Sequence, residues 1–478
     1  MPRASSAART SRRTPSRSST VELRKTTSRW LMGKALPHVR SSPRMKCART
    51  AMAILLFTAC GGGPRGRVAT AVEADDLDGA IAAYEDYRRS EGADADVLGR
   101  VAGLLLEREA RSDDGERRRA AILQLSLAGT AGEPGLIRLA EAEGVGPSRL
   151  AALEVLARRG SESARLSLRA LADHEDPAVL AAAILGMDPA LDRDLLLEHL
   201  RAPSADVRRA AARALSPRDD ADVLRTLAEA ARVDPDPAVR AAAVGSLALA
   251  GQAGVDALRE RLGDPMSSVR LAAVGALVRA DEAQARVALG ALLEMAPSPA
   301  GIEAARVLAQ LDDDGSPTGA SAARAYLRGA LEARDAGLRS QAGVALTGLP
   351  STADAPIDAV RAALATETEP EVRLSFARAL WRRDRATASR ALEDLLADEG
   401  MPGVQAAALL AAEAHEAAVS KLDEVARGDG VSVLRRTAAR ALAREAMQPD
   451  RARRHLGDED ALVRIYAAGG ILAAAAAS

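Results

Sequence analysis

One arrangement of apolar and polar positions repeats through most of the chain. In PAVRAAAVGSL, residues 237–247, the apolar residues Val239, Ala243 and Leu247 stand four positions apart, so they share one face of a helix. An arginine directly follows the valine. Closely similar segments are ADVRRAAARAL, SSVRLAAVGAL, PEVRLSFARAL and SVLRRTAARAL, at residues 205–215, 267–277, 370–380 and 432–442. The pattern predicts a helix in each of them.

A second stretch of helical period follows each segment, as in AGVDALRERL at residues 253–262. Acid–proline pairs such as Asp236-Pro237 mark helix starts, because the carboxylate accepts from free N–H groups and proline lacks the N–H that would be unpaired there. No segment alternates as a strand would. The sequence predicts an all-α protein of about twelve helix pairs, spaced about 31 residues apart. A single pair cannot bury its apolar face, so neighbouring pairs should stack into an α-solenoid with a right-handed superhelix.

An arginine column marks the repeat. Nine of the twelve units have arginine at the equivalent helix position, and the other three have Leu180, Gly301 and Gln405. The nine are Arg118, Arg149, Arg208, Arg240, Arg270, Arg339, Arg373, Arg435 and Arg464. An acid often stands four residues earlier, one helical turn away. We expect a structural ladder in which the arginines bond at the helix start or to loops of the next repeat; an anion-binding stripe is the alternative.

This spacing and motif resemble HEAT repeats, specifically the short HEAT-like class first associated with phycobilisome lyases. The resemblance covers residues 113–478. It implies little about activity, because that class includes scaffolds, lyases, hydroxylases and glycosylases. Residues 71–112 have a different pattern, similar to tetratricopeptide (TPR) helices, and we expect them to cap the first repeat. The C-terminal GGILAAAAAS is more apolar than an exposed end should be, which predicts either a frayed helix or a partner that covers it.

The N-terminal region has no repeat. Residues 1–44 are rich in Ser, Thr, Arg and Pro, and we expect a disordered basic segment. Residues 45–59 combine a positive start with an apolar run of nine residues, 51–59. A spanning helix needs about 20 apolar residues, so this run is typical of a signal peptide.

Leu56 to Cys60 resembles the bacterial lipoprotein signal, although Phe57 departs from the aliphatic residue usual at its position. The resemblance implies that Cys60 becomes a diacylated N-terminus, followed by a flexible tether over residues 60–70. In a diderm bacterium, Gly61 points to the outer membrane. Residues 1–44 would then precede the true start. The alternatives to lipidation are an ordinary cleaved signal and a chance cysteine. For residues 1–44 the alternative is a basic intracellular extension.

Charge and composition narrow the possible partners. Residues 1–49 contain 13 basic residues and one acid, whereas the rest contains 52 basic and 65 acidic residues, a net charge of −13. An acidic body argues against a nucleic-acid partner. Aromatic residues make up 2% of the chain, so the core must come from close approach of helices with small side chains. Both cysteines, Cys47 and Cys60, precede the body, which therefore has no cysteine for disulfides or zinc.

Two patterns suggest metal sites, and neither is complete. His174-Glu175 and His415-Glu416 resemble the His-Glu pairs of HEAT-like di-iron hydroxylases, but eight repeats separate them. The segment LDDDGSPTGAS, residues 311–321, has Ala323 where a calcium loop beginning at Asp312 needs glutamate. We predict no catalytic residue, no cofactor and no metal.

The sequence thus predicts a lipid-anchored scaffold or assembly protein of the bacterial cell envelope, at the outer membrane and facing the periplasm. It would bind other proteins, and it would touch the membrane through its N-terminal lipid. The alternatives are a HEAT-like enzyme of the chromophore-lyase type and a binder of a small molecule or envelope polymer.

Overall fold

The structure is a computed structural model that describes residues 63–216, 220–310, 319–349 and 357–477. Every regular element in these ranges is a helix, which confirms the all-α prediction. The first three are α1 Pro64–Glu73, α2 Leu77–Glu91 and α3 Ala95–Ala110.

The remaining helices, numbered in chain order, alternate between two kinds. Even-numbered helices contain the arginine column: α4 Gly115–Leu127, α6 Pro147–Arg158, α8 Pro177–Ala183, α10 Ala205–Ala214, α12 Pro237–Leu247, α14 Ser267–Ala280, α16 Pro299–Leu308, α18 Ala336–Gly348, α20 Pro370–Leu380, α22 Met401–Ala411, α24 Ser432–Arg444 and α26 Ala461–Ala475. Odd-numbered helices follow them: α5 Glu133–Ala140, α7 Glu162–Arg169, α9 Arg193–His199, α11 Ala221–Val233, α13 Val255–Glu260, α15 Glu282–Gly290, α17 Ala320–Ala330, α19 Ile357–Thr366, α21 Arg385–Leu395, α23 Glu416–Arg427 and α25 Pro449–Ala452. Short 3₁₀ turns extend some of them, as after α25 at Arg453–Gly457.

Aspartate side chains start many of the even-numbered helices. Asp236 accepts from the N–H groups of Ala238 and Val239 at 2.7 and 3.3 Å, with Pro237 in the first turn of α12. Equivalent caps are Asp114, Asp335 and Asp460. These are the acids that stand four residues before column arginines, so their role is to satisfy free N–H groups at the helix start. Glu369 makes no such bond.

The helices form two layers. Each even-numbered helix packs against the next even-numbered helix, from α4 to α26, and most odd-numbered helices pack behind two of them. Neighbouring odd-numbered helices touch each other little. The layer whose members lie closest together must be on the shorter circumference, so the even-numbered helices form the inner layer. This arrangement confirms the α-solenoid prediction.

The two ends of the array meet. The last inner helix, α26, packs against α3 and α4, and α25 also touches α3. The described residues place no outer helix after α26, and α3 occupies that place: it packs behind both α26 and α4, as most outer helices pack behind two inner helices. Helix contacts therefore run in a closed circuit of twelve inner and twelve outer helices, and we call the contacts of α3 and α4 with α26 the closure.

Small residues permit the close approach at the closure. A Cβ on Gly99 of α3 would lie 2.7 Å from the Cβ of Ala475, and one on Gly469 of α26 would lie 2.4 Å from Gln124 Oε1. Ile471 and Leu472 are buried. The apolar C-terminal segment is thus neither frayed nor dependent on a partner, because the chain's own N-terminal helices cover it.

Two expectations for the N-terminal region need correction. The flexible tether expected over residues 60–70 is wrong for 64–70, which belong to α1, because Pro64 suits a first helical turn and Val68 is fully buried in the core. The expected cap over 71–112 spans the end of α1 together with α2 and α3. It covers the first repeat through α3, which packs against α4, and through the same helix it also completes the last repeat.

In the described residues, one helical stretch, 237–263, is long and apolar enough to cross a membrane by length and composition alone. It is broken at Gly251, whose φ of 56° and ψ of −139° are not helical. Half of its most apolar window is buried inside the array, as expected for core helices.

Candidate functional site

The column arginines connect consecutive repeats. Arg240 donates from Nε and Nη2 to the carboxylate of Asp264 at 2.9 and 3.0 Å, and from Nη1 to the carbonyl of Asp234 at 2.9 Å. Asp234 lies in the loop before α12 and Asp264 in the loop before α14. The guanidinium thus joins the loop of its own repeat to the loop of the next.

The same bonding recurs along the array. Carboxylate partners from the following repeat are Asp234 for Arg208, Asp264 for Arg240, Glu367 for Arg339 and Asp458 for Arg435. Arg373 instead meets the exposed Asp394 of its own repeat's outer helix at 3.2 Å. Arg118, Arg149 and Arg270 instead bond to carbonyls of their own loops. At the closure, Arg464 of α26 meets Glu109 of α3 at 3.2 Å, so the last repeat is joined to the first by the same kind of contact.

These pairs are largely shielded from water. The Arg240 and Asp264 side chains are 11% and 2% exposed. Burial acts to raise the pKa of the Asp264 carboxyl, but the hydrogen bonds from Arg240 and from the Met266 N–H lower it below its ordinary value. Since most column arginines are engaged in this way, they are poorly placed to bind free anions.

In the three repeats that lack a column arginine, other side chains occupy or contact the column position. A Cβ on Gly301 would lie 2.1 Å from the hydroxyl of Tyr326. That hydroxyl donates to the carbonyl of Ala296 and accepts from the N–H of Ser298, both at 3.2 Å, so a tyrosine from α17 joins the loop that an arginine would otherwise hold. Gln405 accepts from Arg378 at 3.4 Å, and Leu180 packs against the core.

The histidine–glutamate pairs serve local backbone. His174 Nδ1 accepts from the N–H of Asp176 at 3.0 Å, and His415 Nδ1 accepts from the N–H of Ala418 at 3.3 Å as the cap of α23. In the part of the chain that the structure describes, no three His, Cys, Asp or Glu residues are grouped as metal ligands. Cys60 and most of the 311–321 segment lie outside the described residues.

Two grooves lie between inner helices on the inner layer. One, of about 550 Å³, is lined by residues of α18, α20 and α22 that include Val344, Leu374 and Arg378. The other, of about 230 Å³, lies between α6, α8 and α10 and includes Leu185 and Arg213. Each groove is lined by aliphatic and arginine side chains together with acids, Glu371 in the first and Glu154 and Asp206 in the second.

Charge differs sharply between the inner layer and the rest of the chain. The twelve inner helices contain 20 arginines and five acidic residues, whereas the chain beyond residue 49 has a net charge of −13. Acidic residues therefore concentrate on outer helices and loops. Nine of the 20 arginines belong to the column and are engaged in the ladder, which leaves 11 against the five acids. The inner layer is therefore still the basic side of an acidic protein, which the total charge alone does not reveal.

A known protein family and several solved structures are similar to parts of this chain. A family model described as HEAT repeats matches residues 193–277 and 225–309. No curated protein matches this sequence. Among solved structures, Kap95p with RanGDP is similar at 15% identity and a TM-score of 0.33, over 80% of this chain and 56% of that one, or little more than half its length. Human deoxyhypusine hydroxylase in complex with glycerol is similar at 18% identity and a TM-score of 0.23, over 60% of this chain and 95% of that one. Likenesses at these TM-scores say nothing about what this chain binds.

Proposed function

Because this chain is a HEAT-repeat protein, we propose that it acts as a scaffold or assembly protein through protein–protein contact on its inner layer. The observation that carries the proposal is the inner layer itself, which continues over twelve repeats and is open to solvent: Leu123 and Val344, on α4 and α18, are 48% and 53% exposed. Repeat arrays of this kind distribute binding over many units and need no single deep pocket.

We further propose that the protein is anchored in the bacterial cell envelope by lipid on Cys60, at the outer membrane and facing the periplasm. Support comes from the sequence: an apolar run of nine residues ends at Leu56 to Cys60, in a segment that resembles a lipoprotein signal. Residues 1–44 would then be absent from the working protein.

One observation favours a second candidate, the binding of a small molecule or envelope polymer. The groove of about 550 Å³ is large enough for such a ligand.

Purification of the membrane fraction after crosslinking tests both proposals separately. Mass spectrometry of the N-terminal peptide should find a diacylated cysteine at position 60, and Cys60→Ser should move the protein to the soluble fraction. A mature start elsewhere would overturn the anchor.

The scaffold proposal is tested with the same sample. Crosslinked peptides should join a defined partner to residues of the inner helices. Crosslinks confined to odd-numbered helices would place the interaction elsewhere, and capture of a bound small molecule without any protein would favour the second candidate.

A further inference from the structure

A line of positions runs down each inner helix, and in most repeats at least one of its side chains is exposed, although Ile302, Leu374, Leu410 and Ile465 are buried. The positions one and five residues after the column position fall on one side of the helix or its 3₁₀ extension, since a step of four is about one turn. The position nine residues after the column continues the line, in some repeats past the end of the helix. We call these positions the inner stripe. The grooves confirm where it faces: Arg213 and Leu185 of the stripe line one groove, and Val344 and Arg378 line the other.

The inner stripe is basic and aliphatic. Over twelve repeats it has 36 positions, of which 11 are arginine and one, Glu154, is acidic. The arginines are Arg119, Arg158, Arg209, Arg213, Arg279, Arg306, Arg378, Arg382, Arg436, Arg440 and Arg444. Most other positions hold aliphatic or small residues, and Leu123, Leu271 and Val344 are exposed among them.

Several stripe arginines lack an internal partner. Arg158, Arg209 and Arg306 pair with acids of their own helices at 2.9, 2.6 and 2.6 Å. In contrast, Arg213, Arg279 and Arg382 are exposed and form no hydrogen bond or ion pair with any described residue. In a protein whose remaining surface is acidic, guanidinium groups left free on a concave face are complementary to a carboxylate-rich ligand.

From this we infer that the inner stripe binds an extended acidic segment of a partner polypeptide, with carboxylates on the arginines and aliphatic side chains in the two grooves. The inference rests on the proposed scaffold function and names the chemistry of the partner. Arginine forks bind carboxylates through two parallel hydrogen bonds, and the stripe alternates such groups with aliphatic contacts.

The side chains between the arginines favour polypeptide over nucleic acid. Binding of single strands without sequence preference depends on rings on which bases stack. The inner helices have two rings in the described residues, and one of them, Phe376, is fully buried. The other is Tyr466, over which Arg436 lies at 5.2 Å. Aliphatic groups such as Leu271 and Val344 instead match leucine or valine side chains of a peptide.

The test measures binding of synthetic peptides to the full-length chain in detergent by fluorescence anisotropy. The probe is an 18-residue peptide of alternating acidic and apolar residues, Glu with Leu, Ala or Val, and its controls replace every Glu by Gln or by Lys. We expect the Glu peptide to bind at least tenfold more tightly than the Gln peptide, with affinity falling as salt rises. Equal affinity of the Glu and Gln peptides would overturn the inference, and so would tighter binding of an 18-nucleotide single-stranded DNA.

Charge reversal locates the site. Arg213→Glu with Arg279→Glu changes two exposed inner arginines, and Arg225→Glu with Arg328→Glu makes the same change on the outer helices α11 and α17. We expect at least a tenfold loss of affinity in the first pair and less than a twofold loss in the second. Equal losses in both pairs would show that binding follows total charge and not the inner stripe.

Two controls separate loss of binding from misfolding and from failure of the proposed function. Helix content and unfolding temperature are compared first, and Arg213→Gln with Arg279→Gln replaces the Glu pair if that pair unfolds. A chain that is not lipidated, or that has no crosslinked partner in the envelope, would fail the proposed function while still binding the peptide. If the chain has a crosslinked partner in the envelope but does not bind the peptide, only the present inference is contradicted.

Discussion

At the scale of single residues, the sequence predicts the arginine column but not what each arginine holds. Acids stand both four and six residues before many column positions, as Asp236 and Asp234 do before Arg240. In the structure the two acids have different roles. Asp236 caps its helix, while Asp234 accepts hydrogen bonds from the column arginine of the preceding repeat. The role of Tyr326 at Gly301 could not be predicted, because the tyrosine is supplied by the outer helix 25 residues further on.

Loss of one buried ladder carboxylate should cost much more stability than loss of an exposed one. Asp264→Asn keeps the shape but removes the carboxylate that is hydrogen-bonded to the buried Arg240, and breaking such a pair typically costs about 3–5 kcal/mol. Asp256→Asn is the control, because Asp256 is 95% exposed and its contact with Arg259 is 3.5 Å, so less than about 1 kcal/mol is expected. Hydrogen exchange of amides in α12 and α14 measures both. Equal protection in the two variants would contradict a stabilising role for the ladder.

The ladder also predicts weaker stability in acid. The pKa of Asp264 is lowered, as is that of Glu367 through its hydrogen bonds from Arg339. A carboxyl whose folded pKa is depressed stabilises the fold above its unfolded pKa, about 4, and that contribution is lost as pH falls through the folded value. The unfolding temperature should therefore drop steeply below about pH 4, and less steeply in Asp264→Asn. An identical slope in the variant would show that other groups cause the acid sensitivity.

At the scale of helices, the sequence predicts α26 and α3 as helices but not their contact. The apolar residues of α26 lack a following outer helix, and the residues that cover them stand about 370 positions earlier, as Gly99 and Ala475 show. Nothing in a local pattern of apolar residues identifies a partner so distant in the chain. The same limit explains why residues 71–112 suggested a cap for the first repeat alone.

Overpacking at one glycine should open the closure. Gly469 and Gly245 both stand five residues after a column arginine, yet a Cβ on Gly469 would lie 2.7 Å from the Cβ of Gln124, whereas one on Gly245 would meet nothing within 4 Å. Gly469→Leu should therefore push α26 away from α4, at a cost of about 1–3 kcal/mol. Gly245→Leu should leave the closure intact.

The two variants are distinguished by small-angle scattering and by hydrogen exchange. Gly469→Leu should increase the radius of gyration and the exchange rates of α3 and α26, while leaving α12 and α14 unchanged. The same exchange pattern in Gly245→Leu would mean that leucine disturbs any inner helix, and the closure would then not be a distinct weak point.

At the scale of the whole molecule, the repeat number could be predicted from the sequence, but the closed circuit could not. Closure depends on the sum of twelve small rotations between neighbouring repeats, and a slight change in each would leave the ends apart. Ion pairs then add to the apolar contact: Arg88 of α2 meets Asp450 of α25 at 2.5 Å, and Arg453 meets Glu85 at 3.3 Å. Both pairs are partly exposed and contribute modestly, so the closure is held without covalent bonds.

A covalent lock across the closure should restrict how a large partner reaches the inner stripe. Twelve inner helices about 9 Å apart enclose a space about 25 Å across between helix surfaces of about 10 Å diameter, which admits an extended peptide but not a folded domain. With Gly99→Cys and Ala475→Cys, oxidation should join α3 to α26 after a small shift, because their Cβ atoms lie closer than the 3.5–4.5 Å that disulfides adopt.

The oxidised ring should bind the free Glu peptide as before. It should load a Glu peptide carrying a folded domain at each end at least tenfold more slowly than the reduced ring, as followed by stopped-flow anisotropy. Equal loading rates in both states would show that the closure stays shut during binding, and that partners approach the stripe from an open side of the ring.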